Sequence, residues 1–179
     1  MKKNFVLFSL VAYIFSSCIS TRIVSNQAEG VKNDKILTNK RIMLVMQGDE
    51  RSVTFYNKFA ANFAQEVGKT YGISVDYVVL SQISFVSDKD IEKRNQTFKA
   101  DYVMDFKVGR YESRVNDVND YYNSRVEEKV LNVTLKCLAQ DTDVWKAALT
   151  IGTVDVRVNK AHIEAAKRLV SQLKRDNLI

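Results

Sequence analysis

Proline is absent from this chain of 179 residues, histidine and tryptophan each occur once, cysteine occurs twice and glycine six times. With so few chain breakers there is no composition shift on which to place a domain boundary after residue 40. The lone histidine, His162, excludes a multi-histidine metal site by count. It falls in the first turn of the last expected helix, where a surface or capping role is expected rather than that of a catalytic base. Two cysteines, Cys18 and Cys137, are too few for the disulfide framework that staples small exported domains. A membrane-spanning helix needs about 20 apolar residues, whereas the apolar stretch from Phe5 to Phe15 falls well short of that length. A basic stripe is missing too. The net charge of +6 is spread over mixed-sign segments, which argues against nucleic acid as a partner.

What the chain does have is an organised N-terminus. Lys2 and Lys3 precede the apolar stretch FVLFSLVAYIF, and Ser16-Ser17 place two small side chains directly before Cys18. Charged, then apolar, then small is the order of an export signal. The ending Ile14-Phe15-Ser16-Ser17-Cys18 resembles that of bacterial lipoprotein signals, in a loose form similar to those of Bacteroides-like bacteria. The resemblance implies cleavage before Cys18, with residues 1–17 as signal peptide and a diacylglyceryl group on the Cys18 sulfur. Ile19, in place of Asp after the cysteine, implies sorting to the outer membrane, with the domain facing the periplasm or the surface. Losing Lys2 and Lys3 lowers Lys+Arg from 27 to 25 against 21 Asp+Glu, a net of +4. Residues 18–39 are polar with scattered apolar side chains and no sustained period, and are read as a lipidated flexible tether. Residues 40–179 are then a single α/β domain, long enough to bury a core. Within it Cys137 alternates with Leu131, Val133 and Leu135, so it is expected to be a small buried apolar residue.

The domain starts with strand and helix signals in alternation. Arg41 to Gln47 (RIMLVMQ) is a short continuous apolar run, as in a strand covered on both faces. Asp49 or Ser52 can cap a helix carrying Tyr56, Phe59, Phe63 and Val67 at three- and four-residue spacing, closed by Gly68 and Gly72. Ile73 to Leu80 reads as a strand, Asp88 to Phe98 as a polar helix and Asp101 to Val108 as a third strand. This order predicts parallel pairing. Val126 to Ala139 and Asp143 to Val158 then alternate around a Gln140-Asp141-Thr142 turn, predicting an antiparallel hairpin. The apolar parity switches at Gly152, where a bulge is expected. Asn159 can cap a last helix with Ile163, Ala166, Val170 and Leu173 on one stripe. The predicted fold is a single mixed sheet of about five strands, parallel in its first half and antiparallel in its second, packed with about three helices.

Ala100-Asp101-Tyr102-Val103-Met104 and Asp141-Thr142-Asp143-Val144-Trp145, set in this architecture, resemble the exported α/β domains of the curli-secretion lipoprotein and of the penicillin-binding-protein activator lipoproteins. The resemblance covers residues 40–179. Asp105-Phe106 and Asp143 depart from the small residue and glycines that the family carries at those places. It implies non-catalytic structural or regulatory work in the envelope, with no cofactor and no catalytic residues.

The residues themselves offer little catalytic material. Asp101 and Asp105 could form a carboxylate pair for an envelope hydrolase acting on glycan or peptidoglycan, the alternative function. Four residues along a strand, however, set them about 13 Å apart, wider than the roughly 5–9.5 Å of glycosidase pairs. Asp117, Asn119, Asn123 and Glu128 fall at positions 1, 3, 7 and 12 of a calcium-binding loop, but Tyr122 stands where such loops need glycine. Gly109 to Arg125 reads as one long polar connection, and long polar loops on compact domains often carry function. Tyr111, Tyr121 and Tyr122 among Arg110, Arg114 and Arg125 are the candidate binding residues, because tyrosine joins apolar area to a polar tip. The partners expected are the membrane, through the lipid on Cys18, and envelope proteins or cell-wall glycan.

Overall fold

The continuous apolar run of β2 (Arg41–Gln47) has its five central residues buried, because helices cover both faces of the sheet there. This computed structural model describes residues 19–27, 35–50, 52–81, 86–117, 123–154 and 158–179. From β2 the chain passes through α1 (Ser52–Tyr71), β3 (Ser74–Leu80), α2 (Asp88–Phe98) and β4 (Tyr102–Asp117). β5 (Asn123–Cys137), β6 (Thr142–Val154) and α3 (Val158–Arg175) follow. β2 pairs in parallel with β3 and β4, and β4, β5 and β6 pair antiparallel. The expected change from parallel to antiparallel is therefore present. The sheet has six strands, not about five, in the order β1-β6-β5-β4-β2-β3.

The additional strand, β1 (Ile19–Gln27), lies in the segment expected to be a tether, and it pairs antiparallel with β6 along its whole length. Its sequence, ISTRIVSNQ, concealed it. The positions on the helix side of the sheet, Thr21, Ile23 and Ser25, include one apolar residue, while Val24 on the other side is 52% exposed. An edge strand of this kind is held by its backbone ladder and has no need of an apolar face. Ser25 also accepts a hydrogen bond from Gln172 of α3, at 2.7 Å.

α1 and α3 pack on one face of the sheet, where Tyr56, Phe59, Phe63 and Val67 are buried as their spacing predicts. Phe59 stacks with Phe63 at 6.2 Å and meets Phe106 edge-on at 5.5 Å, the geometries that the aromatic quadrupole favours. α2 covers the other face over Met43, Val45 and Val78, using Ile91 and Phe98. It carries a reciprocal capping box between Ser87 and Asp90 and ends on Lys99 in the left-handed region, and these caps fix its bounds. Cys137 is buried and unpaired by any disulfide, as its parity suggests.

Three local expectations change. No register shift occurs at Gly152, which pairs with Glu128 and Ser20 in an unbroken ladder. Of the later valines that suggested a bulge, Val154 ends β6 in register, Val158 begins α3 and Val156 lies outside the described residues. The irregularity in this hairpin lies instead between Leu135 and Lys136, where Val144 is the extra residue. The inner stripe of α3 is Ala161, Ala165, Ala166, Leu169 and Leu173, with Ile163 and Val170 only partly buried. His162 is buried rather than surface-lying, because it adjoins Ala161 on that inner stripe. Among the described residues no helix is long and apolar enough to cross a membrane.

Candidate functional site

The stretch expected to be a loop from Gly109 to Arg125 is mostly strand. β4 runs to Asp117 and β5 starts at Asn123, in a continuous ladder out to the pair Asp117–Asn123. The sequence concealed this because residues 109–117 and 123–129 carry no apolar alternation. β2 accompanies β4 only as far as the pair Met46–Phe106, and beyond it β4 forms an edge.

A bulge at Gly109 sets which way the residues beyond it face. The ladder passes from Val108–Leu131 to Arg110–Val130, leaving Gly109 as the extra residue. A Cβ at this position would lie 2.7 Å from the Asn132 amide nitrogen, so glycine lets the two backbones approach. One inserted residue reverses the facing of everything after it. Arg110 therefore lies on the face away from α1, where it pairs with Glu128 at 3.0 Å and Glu112 at 3.4 Å. All three side chains are about one-third or more exposed, so each pair contributes at most about 1 kcal/mol. Tyr111 shares the α1 face with its ladder partner Lys129 and is 49% exposed.

Lys129 was not singled out from the sequence, although a signal was there. The odd positions Leu131, Val133 and Leu135 face the core, and the same parity carries lysine at 129. Its ammonium donates to Ser52 Oγ, sits 4.0 Å from Asp49 Oδ1 and lies 5.6 Å from the Tyr56 ring centroid. Burial lowers its pKa, and the charges of Asp49 and Glu127 oppose that shift. Ser52 in turn donates its hydroxyl to Asp49, which also accepts the Ser52 backbone N–H at 2.9 Å. Burial, then the charge of Asp49, raises the Tyr56 phenol, whose hydroxyl donates to the Gln47 carbonyl at 3.1 Å. Lysine and serine are the parts of a hydrolytic dyad, but here the serine and Asp49 form the cap of α1. The lysine spans from the hairpin to that cap and fastens one to the other.

The carboxylates of the alternative reading do not converge. Asp101 accepts the Arg41 backbone N–H at 2.8 Å and closes the start of β4 onto β2. Asp105 projects from the sheet beside Lys107, at 3.1 Å. Among the described residues no group of three or more His, Cys, Asp or Glu side chains could hold a metal ion. Of the candidate binding residues, Arg110 and Tyr111 stand at the base of the hairpin on opposite faces. Arg114 and Arg125 belong to β4 and β5, but their side chains are outside the described set. Tyr121, Tyr122 and Cys18 fall outside the described residues. Ile19, bonded to Cys18, is the first residue of β1.

No family model and no curated protein matches the chain. Solved structures do. A single-substitution form of the PelC dodecamer from Paraburkholderia phytofirmans superposes with a TM-score of 0.51 at 15% identity, covering 84% of this chain and 96% of PelC. A second crystal form of the PelC dodecamer gives 0.50 at 13% identity, covering 83% of this chain and 96% of that one. Lipoprotein GNA1162 from Neisseria meningitidis gives 0.44 at 16% identity, covering 76% of this chain and 96% of that one. At these identities the likeness is one of fold, that of PelC. The finer kinship suggested by residues 100–104 and 141–145 rests on those residues alone.

Proposed function

We propose that this chain is a lipid-anchored component of the bacterial cell envelope that works by binding and assembly rather than by catalysis. The observation that carries the proposal is the placement of Cys18. It ends a charged, apolar and small-residue leader, and it directly precedes a folded domain of PelC type. The PelC structures are of dodecamers, which supports a role for this chain as a subunit of a larger envelope assembly. Ile19 after the cysteine supports the outer membrane as its address. The exposed hairpin base, with Arg110 and Tyr111, is the surface offered to envelope proteins or cell-wall glycan, since an exposed tyrosine flanked by charge suits a contact patch.

Membrane fractionation of Cys18→Ser tests this reading. Acyl chains contribute about 0.8 kcal/mol per buried CH₂, so two or more hold a soluble domain on a membrane almost permanently. The serine variant is expected in the soluble fraction and the native protein in the membrane fraction. A serine variant that still sediments with membranes overturns the lipid-anchor reading.

A further inference from the structure

The strand register decides which end of the sheet meets the membrane once Cys18 is taken as the acylated residue. Ile19 pairs with Thr153, Thr153 with Glu127, and Glu127 with Ser113, so these four form one row across β1, β6, β5 and β4. Cys18 is bonded to Ile19, so its Cα lies within about 3.8 Å of that row, without the long flexible tether that could let the domain drift. In the same direction β4 continues from Arg114 to Asp117 and β5 from Val126 back to Asn123. Four residues at about 3.4 Å each carry the hairpin roughly 14 Å past the row, and so about 10 Å past the cysteine. With strands about 4.8 Å apart, β5 lies roughly 10 Å and β4 roughly 14 Å to the side of β1. Sheet twist of about 20–25° per strand inclines β5 and β4 to β1 and shortens this overhang, measured along β1, to roughly 6 Å at β5 and roughly 2 Å at β4.

We propose that the distal β4–β5 hairpin, Arg114–Asp117 with Asn123–Val126, is a membrane-contacting element seated in the lipid headgroup layer beside the acylated Cys18. This rests on the lipid-anchor reading above and adds an orientation to it. The headgroup layer is about 5–7 Å thick on each side of a hydrocarbon core of about 30 Å. An overhang at β5 comparable to that thickness, held within roughly 14 Å of the anchor, brings the hairpin into the layer. Two features stop it there. Beyond Phe106 β4 is an edge with respect to β2, and hydrocarbon does not accept an open strand edge because its backbone groups would lose their partners. Of the eight residues of the segment, Arg114, Asn116, Asp117, Asn123, Ser124 and Arg125 are polar and Val115 and Val126 apolar, a composition suited to headgroups and unsuited to acyl chains. The opposite end of the sheet, with the turn at Asp141, then faces away from the bilayer, and Arg110 and Tyr111 stand just outside the headgroups.

The test uses the full acylated protein in vesicles of phosphatidylethanolamine and phosphatidylglycerol. A fluorophore is placed at Asn116→Cys, Ser113→Cys or Asp141→Cys in a Cys137→Ala background, and quenched by lipids bearing a headgroup nitroxide. Mass spectrometry of each preparation reports acylation, and melting curves report folding. Asn123→Cys, on the ladder opposite Asp117, repeats the distal measurement should Asn116→Cys fold poorly. Quenching is expected to be severalfold greater at residue 116 than at 141, with 113 between them. Equal quenching at 116 and 141 in acylated protein overturns the hairpin proposal and leaves the lipid anchor standing. Absence of the acyl mass overturns both.

Discussion

Removing the carboxylate of Asp176 is expected to destabilise the domain chiefly through one buried tryptophan. Trp145 is fully buried on β6, and its indole N–H donates to Asp176 Oδ2 at 2.7 Å. The same carboxylate accepts from the Gln172 amide at 3.0 and 3.1 Å, and Gln172 also reaches Ser25 of β1. One group thus joins the end of α3 to two strands. Asp176→Ala leaves the indole donor buried without this acceptor, which costs about 1–3 kcal/mol, and the loss of the bonds from Gln172 adds to that. For a domain of this size 1 kcal/mol moves Tm by roughly 2–4 °C, so a fall of about 5–10 °C is expected. Asp176→Asn keeps an oxygen acceptor and should lose about 1 kcal/mol or less. The decisive measurement is a double-mutant cycle with Trp145→Phe, which has no N–H to satisfy. In that background Asp176→Ala should cost at least about 1 kcal/mol less than in the native protein. Equal costs in the two backgrounds, measured by denaturant unfolding, would refute the assignment of the tryptophan bond as the source of the effect.

Phe63→Ala should cost about 3–5 kcal/mol, because the ring is fully buried and stacked on Phe59; unchanged melting would mean that α1 does not pack on the sheet through this stripe. His162 is buried, and burial, then the charge of Lys58, holds its pKa below the ordinary histidine value. The unfolded chain therefore takes up the proton first as pH falls. The stability that neutral His162 contributes is full above about pH 6.5 and is lost as pH drops from there through the lowered folded value. Unfolding free energies between pH 7 and pH 5 should fall more steeply for the native protein than for His162→Gln, and parallel curves would show that His162 does not titrate as its burial implies.

Legibility in the sequence followed burial and capping. β2, β3 and α1 could be placed within a residue or so because their apolar runs and periods are strong, and α2 was placed as a polar helix between two strand signals. The stripe of α3 was displaced because Ala161 and Ala165, small and weakly apolar, do the packing that Ile163 and Val170 seemed suited for. β1 and the outer hairpin were missed for a shared reason: an edge strand held by its backbone ladder leaves little alternation to read. At the candidate site, Arg110 and Tyr111 were legible as exposed polar and aromatic residues. Their separation onto two faces was not, since it depends on the Gly109 bulge, and neither was the link from Lys129 to Ser52, whose partners are 77 residues apart.

Count, composition and local order by themselves determined that no multi-histidine metal site and no disulfide framework can form. They also determined that a charged, then apolar, then small-residue run ends at Cys18, and that a parallel α/β half precedes an antiparallel one. Those properties are written in neighbouring residues and in residue totals. Where β1 sits in the sheet, how far the β4–β5 hairpin runs past its first residue and which residues share the hairpin's faces were decided by the tertiary structure alone. Strand register is a relation between segments far apart in the chain, set by the joint burial of faces that no single segment contains.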